Sequence, residues 1–253
     1  MFLQSFVTPI FTYETGEDGR PKAINLKGTG CFLASGVLIT AAHVLDNAAA
    51  DVENKVAEGV CAYPKVPLGE DELNLFIDIK RYDRAPAPYD IAVAATSFDL
   101  PSPRKLAAVS ASIADDVATL GYPESAYQMH QGTLYVQARA HRGYIQRVIE
   151  KDRRVVGENN PQTFELSFAI TRGMSGSPLL YNSGGHEFII GVCVGSHTSR
   201  LIDYSLTEVD DAGHRFTEEH SKVEEYGLAH DLRGLLGWHP GVLAGRSLGE
   251  IAP

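Results

Sequence analysis

The sequence predicts an all-β protein, and two observations carry that prediction. Short runs rich in Val, Ile, Phe, Tyr and Thr recur along the chain, and clusters of Gly, Pro, Asn and Asp separate them, which is typical of strands joined by turns. Long amphipathic helical patterns do not occur in residues 1–200, so an alternating strand and helix fold has no support. A β-barrel architecture accounts for this pattern best.

The predicted strands fall on both sides of a proline-rich break. Examples are residues 5–13, 36–40, 75–79, 90–94, 117–121, 134–138, 163–170 and 188–195. Pro101 and Pro103 lie within residues 99–104 and would interrupt a β-ladder at that point. We therefore expect two units, one formed by residues 1–103 and the other by residues 104–253.

The last part of the chain departs from the strand pattern. Residues 200–225 are polar and acidic, and we expect them to form an exposed loop, a solvated insertion more readily than a regulatory surface. Leu232, Leu235 and Leu236 then fall on one helical face, with Gly237 as a stop signal. These residues predict a short C-terminal helix that docks on the second unit.

Composition excludes several classes of partner. The formal net charge is −10 and no Lys/Arg run occurs, whereas nucleic acids and anionic membranes are bound through clustered positive charge. No stretch is long and apolar enough to be expected to span a bilayer. The histidines are dispersed without the paired spacing of zinc sites, so we expect no metal and no cofactor.

The cysteines and the N-terminus indicate the compartment. Cys31, Cys61 and Cys193 are three in number and scattered, which gives no disulfide framework. The first residues lack the positive region and the long apolar segment of a secretory signal. We therefore expect a protein of a reducing cytosol.

The most informative motif is Gly-Met-Ser-Gly-Ser-Pro at residues 173–178. A Gly two residues before Ser175 and another directly after it form the sharp turn that exposes a nucleophilic hydroxyl. Upstream, His43 follows Thr-Ala-Ala, and Asp90 lies in Tyr-Asp-Ile-Ala-Val. The order His, Asp, Ser is that of the chymotrypsin-type triad, and subtilisins and α/β-hydrolases use other orders. The chain resembles the trypsin-like (chymotrypsin-fold) serine peptidase family.

The three residues have the chemistry that peptide hydrolysis requires. An imidazole can take the Ser175 proton during attack and return it to the leaving amine, because its pKa lies near neutrality. A carboxylate at Asp90 would fix the tautomer of His43 and stabilise the imidazolium that forms. Ser177 is a rival nucleophile, but its position after Gly176 and before Pro178 matches the second Gly or Ser of the family's pattern.

The resemblance implies more about the fold and about activation. It implies two antiparallel six-stranded β-barrels, with His43 and Asp90 in the first, Ser175 in the second, and a cleft between them. The oxyanion hole would consist of the backbone N–H groups of Gly173 and Ser175. Met174 stands where activated zymogens of the family carry an Asp that pairs with a new N-terminus, so that switch is not expected here.

The resemblance also implies a substrate pocket. Its walls would be the strand near residues 226–229 and the substrate-binding residues Ala169, Ile170, Thr171, Arg172, Cys193, Val194 and Gly195. Ala169 replaces the Asp of Arg/Lys-cleaving members, and Cys193 replaces the His of glutamate-cleaving ones. We therefore expect a small or medium apolar residue at P1, the substrate residue before the scissile bond. A role for Cys193 as core or pocket lining is favoured over a thiol nucleophile.

The leading hypothesis is an intracellular serine endopeptidase that acts on a protein or peptide substrate. An unregulated cytosolic protease would be damaging, so we expect control by an activating protein partner, by substrate-induced ordering or by narrow specificity. The resemblance to stand-alone bacterial members suggests stress or defence. A catalytically silent binding module with the same fold is the alternative, and an esterase is a third possibility.

Overall fold

A computed structural model of the chain describes residues 5–34, 36–68, 71–97, 105–106, 109–130, 133–151, 154–155 and 158–251. The predicted boundary at residues 99–104 lies outside the described residues, so the division at residue 103 stays a prediction. The two α-helices are α1 (Ala42–Glu53) and α2 (Leu248–Ile251). The strands are β1 (Val7–Thr15), β2 (Pro21–Ala34), β3 (Val37–Thr40), β4 (Gly59–Ala62), β5 (Lys65–Leu68), β6 (Asp71–Asn74), β7 (Ile77–Asp78), β8 (Arg81–Arg84), β9 (Ala92–Ala95), β10 (Lys105–Leu106), β11 (Asp116–Gly121), β12 (Tyr127–His130), β13 (Thr133–Val136), β14 (Arg139–Ile149), β15 (Arg154–Val155), β16 (Glu158–Asn159), β17 (Thr163–Leu166), β18 (Pro178–Ser183), β19 (His186–Val209) and β20 (Arg215–Asp231).

Two large sheets dominate the molecule, and the predicted all-β fold class is confirmed. The first sheet is a half-barrel with the strand order β7-β4-β1-β2-β3-β9-β8. The second follows β19-β18-β11-β14-β17-β20 and closes into a ring because β19 also pairs with β20. The ring has the six strands that the resemblance implied, and β10 adds to it in parallel. The first sheet differs from that expectation, because it has seven strands and does not close.

Helix α1 is a feature that the strand pattern did not predict. It begins directly after β3 and runs for 12 residues. Its Ala-rich sequence favours a helix, and Val44 and Leu45 pack into the core from one face. The helix is too short to give a strong periodic signal, yet it matters here because His43 lies in its first turn.

The acidic segment at residues 200–225 is exposed, as predicted, but it is not an irregular loop. β19 and β20 continue past the ring as a two-stranded antiparallel ribbon that pairs from Thr198 with Glu225 to Val209 with Arg215. Almost all of its side chains are exposed. Charged and apolar residues occur on both faces, so the alternation that marks a half-buried strand is missing from the sequence.

The C-terminal residues form short helical turns that contact both sheets. Leu232–Leu235 is a 3₁₀-helix, and α2 ends the described chain. The Val242 N–H donates to Asp83 of β8 at 2.6 Å. Leu232, Leu243 and other apolar residues of this segment join the larger core cluster, which also contains side chains of the first sheet. Leu232–Leu235 lies against β19 of the ring, on the side where docking was predicted, whereas Gly241–Leu243 lies against β8 and β9 of the first sheet.

The larger core couples the two sheets. It contains residues of the first sheet together with Tyr122, Leu180 and Val192 of the second half. A smaller cluster lies within the ring and includes Ile145 and Phe164. Among the described residues, no helix combines the length and the apolar character needed to cross a membrane.

Shortening the ribbon should leave the fold intact. Residues 201–222 would be replaced by Asn-Gly, a dipeptide that suits a tight hairpin turn, between the paired residues Arg200 and Val223. Because the removed side chains are exposed, we expect the melting temperature to change by less than about 5 °C. Circular dichroism during heating measures this.

A substitution at the base of the same ribbon is the control for the shortened variant. Ala229 in β20 is fully buried, so Ala229→Asp places a charge in the core and should prevent folding. A drop of more than about 10 °C in the shortened ribbon variant would show that the ribbon contributes to the core after all.

Candidate active site

His43 and Asp90 form a close pair at the edge of the first sheet. His43 Nδ1 lies 2.5 Å from Asp90 Oδ2, and the His43 backbone N–H donates to Asp90 Oδ1 at 2.9 Å. The Ala42 N–H donates to the Asp90 carbonyl at 3.2 Å. Asp90 therefore holds both the imidazole and the start of α1, and it accepts from the ring nitrogen that faces it.

The electrostatics of Asp90 favour the carboxylate. Burial by itself raises the pKa of Asp90, but the hydrogen bonds from His43 and the positive charge of its imidazolium lower it further than burial raises it. The net pKa lies below the usual value for Asp. A charged Asp90 facing Nδ1 leaves Nε2 of His43 as the free basic nitrogen.

His230 supports Asp90 from the second sheet, and sequence analysis missed this role. Its Nδ1 accepts from the Asp90 backbone N–H at 3.2 Å, and its ring contacts Tyr89 edge-on at a centroid distance of 6.1 Å. Burial lowers the pKa of His230 to about 4, with the charge of Asp90 opposing and the charge of His43 reinforcing that shift. His230 is thus a neutral acceptor. Nothing in its sequence position signals this contact across 140 residues.

Ser175 lies on the predicted sharp turn. Gly176 has φ +91°, and a Cβ there would lie 1.9 Å from the Thr29 carbonyl oxygen, so only glycine fits. Ser175 Oγ donates to the Val194 carbonyl at 3.4 Å. Both Ser175 and His43 are described, and no hydrogen bond joins their side chains. The rival hydroxyl of Ser177 is fully buried and donates to the Met174 carbonyl at 2.6 Å.

The backbone before Ser175 presents two N–H groups without an acceptor. Gly173 has φ +87°, and neither its N–H nor that of Ser175 donates to any group in the described part of the chain. The Arg172 carbonyl accepts from Glu124 N–H at 2.8 Å. Because C=O and N–H of a trans peptide point in opposite directions, this contact turns the Gly173 N–H away from Glu124. Two such donors next to a nucleophile can stabilise an oxyanion.

Thr29 of β2 holds this turn from the first sheet. Its hydroxyl donates to the Gly173 carbonyl at 2.8 Å and accepts from Tyr122 N–H at 2.9 Å. Its backbone N–H donates to the Ser175 carbonyl at 2.8 Å. Sequence analysis missed this residue. The available signal was its position between Gly28 and Gly30, since glycine inside a strand often marks a close backbone approach.

The residues predicted to form the pocket lie in two groups around Ser175. Ile170 and Cys193 are buried in the core of the ring, and burial raises the pKa of the Cys193 thiol to about 12 although its contact with Thr119 opposes this. A thiol of that kind is a poor nucleophile. Arg172 is exposed and lies 3.7 Å from Glu124. Ala169 and Thr171 flank Ile170, while Val194 and Gly195 follow Cys193 along β19.

Met174 is fully buried in the same core. Because methionine is apolar, its side chain makes no ion pair at this position. Among the described residues, no group of His, Cys, Asp and Glu is arranged to hold a metal ion. A cavity of about 400 Å³ between α1 and β4 is lined by none of His43, Asp90 and Ser175.

The buried hydroxyl of Thr29 should control the reactivity of Ser175. Thr29→Val keeps the shape but removes a donor to Gly173 and an acceptor for Tyr122. Losing one oxyanion donor costs ~10²–10³ in rate, so misplacing one should slow reaction with a fluorophosphonate at least tenfold. Thr29→Ser retains the hydroxyl and should react at nearly the wild-type rate. Equal rates for all three proteins, with similar melting temperatures, would refute this role.

Stability should fall in mild acid because of His230. Its pKa is about 4 in the folded chain, against 6.5 for a free side chain. Between these values the unfolded chain binds a proton that the folded chain does not, so the free energy of unfolding decreases as pH falls through this window. At roughly 1.4 kcal/mol per pH unit the loss is about 3 kcal/mol.

Urea unfolding near pH 7 and near pH 4.5 measures this loss. His230→Asn provides a control, because its amide oxygen can accept from Asp90 N–H and does not titrate. The variant should lose less stability than the wild type over the same interval. An identical loss would assign the acid sensitivity to other groups.

Comparisons with known proteins agree with this geometry. The family model described as trypsin-like peptidase domain matches residues 28–192, which is more than half of the chain and includes His43, Asp90 and Ser175. No curated protein sequence matches. Solved structures do match, and the three described next include proteases.

Three of these structures cover most of the chain. The active form of the Rv3671c protease from M. tuberculosis has a TM-score of 0.52 at 20% identity and covers 99% of this chain and 82% of its own. An inactive mutant form of Rv3671c from M. tuberculosis H37Rv has a TM-score of 0.51 at 19% identity, covering 98% and 87%. The HtrA-type protease AlgW with a tripeptide has a TM-score of 0.52 at 16% identity, covering 90% and 56%.

At these identities the structural likeness shows the fold, which is chymotrypsin-like as the resemblance implied. The family assignment depends on the sequence match. The chain belongs to the family of trypsin-like peptidase domains.

Proposed function

We propose that this chain is a serine endopeptidase that hydrolyses peptide bonds through an acyl-enzyme. The observation that carries the proposal is the juxtaposition at Ser175 of a sharp glycine turn, two backbone N–H groups without an acceptor among the described residues and, across the sheet junction, the His43–Asp90 pair. Acyl transfer needs a nucleophile, a base with an orienting group, and an oxyanion site. Each of these has a candidate within the described residues.

In the proposed mechanism, Nε2 of His43 takes the proton of the Ser175 hydroxyl while Oγ attacks the carbonyl carbon of the scissile bond. The negative charge that develops on the carbonyl oxygen is stabilised by the N–H groups of Gly173 and Ser175. His43 then gives the proton to the leaving amine, and the acyl-enzyme forms. A water molecule, deprotonated by His43, releases the acid and restores Ser175.

We further propose that activity is gated. The Ser175 hydroxyl donates to the Val194 carbonyl instead of to His43, so it must rotate before Nε2 can take its proton. A substrate that orders the cleft, or an activating protein partner, would supply the contacts that favour this rotation.

A cytosolic setting, with a function in stress or defence, belongs to the same proposal. Support for a reducing compartment comes from Cys61 and Cys193, which are buried and form no disulfide within the described residues. The proposed substrate is a protein or peptide. The exposed acidic ribbon and the formal net charge of −10 do not favour nucleic acid or an anionic membrane as a partner.

A fluorophosphonate probe tests the catalytic proposal. Wild-type protein should become labelled at one site, Ser175→Ala should not be labelled, and His43→Ala should react at least about 100-fold more slowly because no base remains. Ser205→Ala, an exposed position on the ribbon, is the matched control and should label like the wild type. Intact-protein mass spectrometry measures the added phosphonyl group.

If activity is gated, the isolated protein should hydrolyse casein slowly, and hydrolysis should become faster once lysate is added. Lysate mixed with the Ser175→Ala variant is the control. Vigorous casein cleavage by the isolated protein would contradict gating and leave the catalytic proposal standing. If neither the isolated nor the lysate-supplemented wild type reacts with the fluorophosphonate, the catalytic proposal fails in favour of a silent binding module.

A further inference from the structure

We propose that Ser196 closes the primary specificity pocket, so that the enzyme accepts only glycine, alanine or serine at P1. This inference rests on the proposed function and deepens it by naming the substrate class. The pocket lies between residues 169–172, residues 193–197 of β19 and residues 226–229 of β20. The described contacts join these three walls to one another, so a long P1 side chain would have to separate them.

The hydroxyl of Ser196 bridges two of the walls. It accepts from the Ile170 N–H at 2.7 Å and donates to the Ile170 carbonyl at 3.1 Å. A single hydroxyl thus satisfies both backbone groups of one residue on the opposite wall. A P1 side chain that entered between the walls would have to break both hydrogen bonds and leave partly buried polar groups unpaired.

The third wall meets the first at Gly227, which pairs with Ser196 across the ladder. The Gly227 N–H donates to the Phe168 carbonyl at 2.8 Å. A Cβ at Gly227 would lie 2.6 Å from that carbonyl oxygen and 2.8 Å from Ile170 Cγ1. Although Gly227 has no side chain, it leaves no room there for a substrate side chain, because the Phe168 carbonyl and Ile170 Cγ1 occupy the space.

The base of the pocket is also filled. Ile170, Met174 and Cys193 are each less than 5% exposed and belong to one buried cluster. Aliphatic and sulfur side chains packed in this way exclude both solvent and a substrate side chain. In this proposal the P1 group lies next to Ser175, above the Ser196 bridge, and the closed walls exclude side chains longer than a hydroxymethyl group.

The Ser196 wall is held from behind by its neighbour. His197 Nε2 lies 2.7 Å from Glu165 Oε2, and Arg147 contacts the same carboxylate oxygen at 2.5 Å. The His197 and Glu165 side chains are only 15% and 10% exposed. This arrangement fixes the course of β19 at Ser196, so the wall does not move outward without loss of these hydrogen bonds to Glu165.

Two peptide phosphonates that differ only in the P1 side chain test the proposal. With wild-type protein, the P1 alanine reagent should label Ser175 at least about 100-fold faster than the P1 phenylalanine reagent. Ser196→Gly removes the bridge and should reduce this ratio at least tenfold, through faster reaction of the phenylalanine reagent. Ser199→Gly, three residues further along β19 on the ribbon, should keep the wild-type ratio.

Ile170→Ala is the second variant and removes the side chain that fills the space at Gly227. This variant should label Ser175 faster with a P1 valine phosphonate, relative to the P1 alanine phosphonate, than the wild type does. It keeps the proposal testable if Ser196→Gly does not fold. The small fluorophosphonate, which has no P1 group, reports on Ser175 itself in every protein.

The outcomes separate this inference from the proposed function. If the fluorophosphonate labels the wild type but the alanine and phenylalanine reagents react at equal rates, the pocket is open and this inference is overturned alone. If the folded variants keep the wild-type ratios, Ser196 and Ile170 do not set the preference, which also overturns it. If the fluorophosphonate fails to label with or without lysate, the proposed function fails and this inference with it.

Discussion

The arrangement around Ser175 depends on one buried residue of the opposite sheet, Thr29. Its hydroxyl and its backbone N–H contact the carbonyls on either side of Met174, and its own carbonyl accepts from Thr40 at 2.6 Å. Thr40 precedes the turn that leads into His43. Thr29 therefore joins the turn at Gly173–Ser175 to the start of α1. A full set of hydrogen bonds in a buried site resists distortion, because each broken bond would leave an unpaired polar group.

A second contact runs in the reverse direction, from the second sheet to the first. His230 of β20 accepts from the Asp90 backbone, while Asp90 holds the imidazole and the backbone of His43. Burial keeps His230 neutral by lowering its pKa. If His230 became protonated, its Nδ1 would lose the lone pair that accepts from the Asp90 N–H. It would also place a positive charge beside the His43–Asp90 pair. The two sheets thus position each other's functional groups.

Residues 168–175 serve two purposes at once. Their C-terminal part forms the turn that carries the N–H groups of Gly173 and Ser175, and its Arg172 carbonyl accepts from the Glu124 N–H. Their N-terminal part is hydrogen-bonded to Ser196 and Gly227. In the proposed enzyme, rigid binding of the segment on both sides would keep the N–H groups of Gly173 and Ser175 oriented towards an oxyanion. The same rigidity narrows the pocket. In the proposed enzyme, selectivity for small P1 residues and a preorganised oxyanion site therefore have a common structural cause.

The fold class and the candidate nucleophile, base and acid could be predicted from the amino-acid sequence. Glycines around Ser175, the residues before His43 and the strand patterns are local signals, and sterics and side-chain periodicity act over a few residues. Helix α1 and the acidic ribbon escaped this reasoning, because one is short and the other lacks alternation. Only the tertiary structure decided the contacts of Thr29, His230 and Ser196, since they join residues far apart in the chain. Such contacts form when the sheets pack together, and a local pattern carries no information about them.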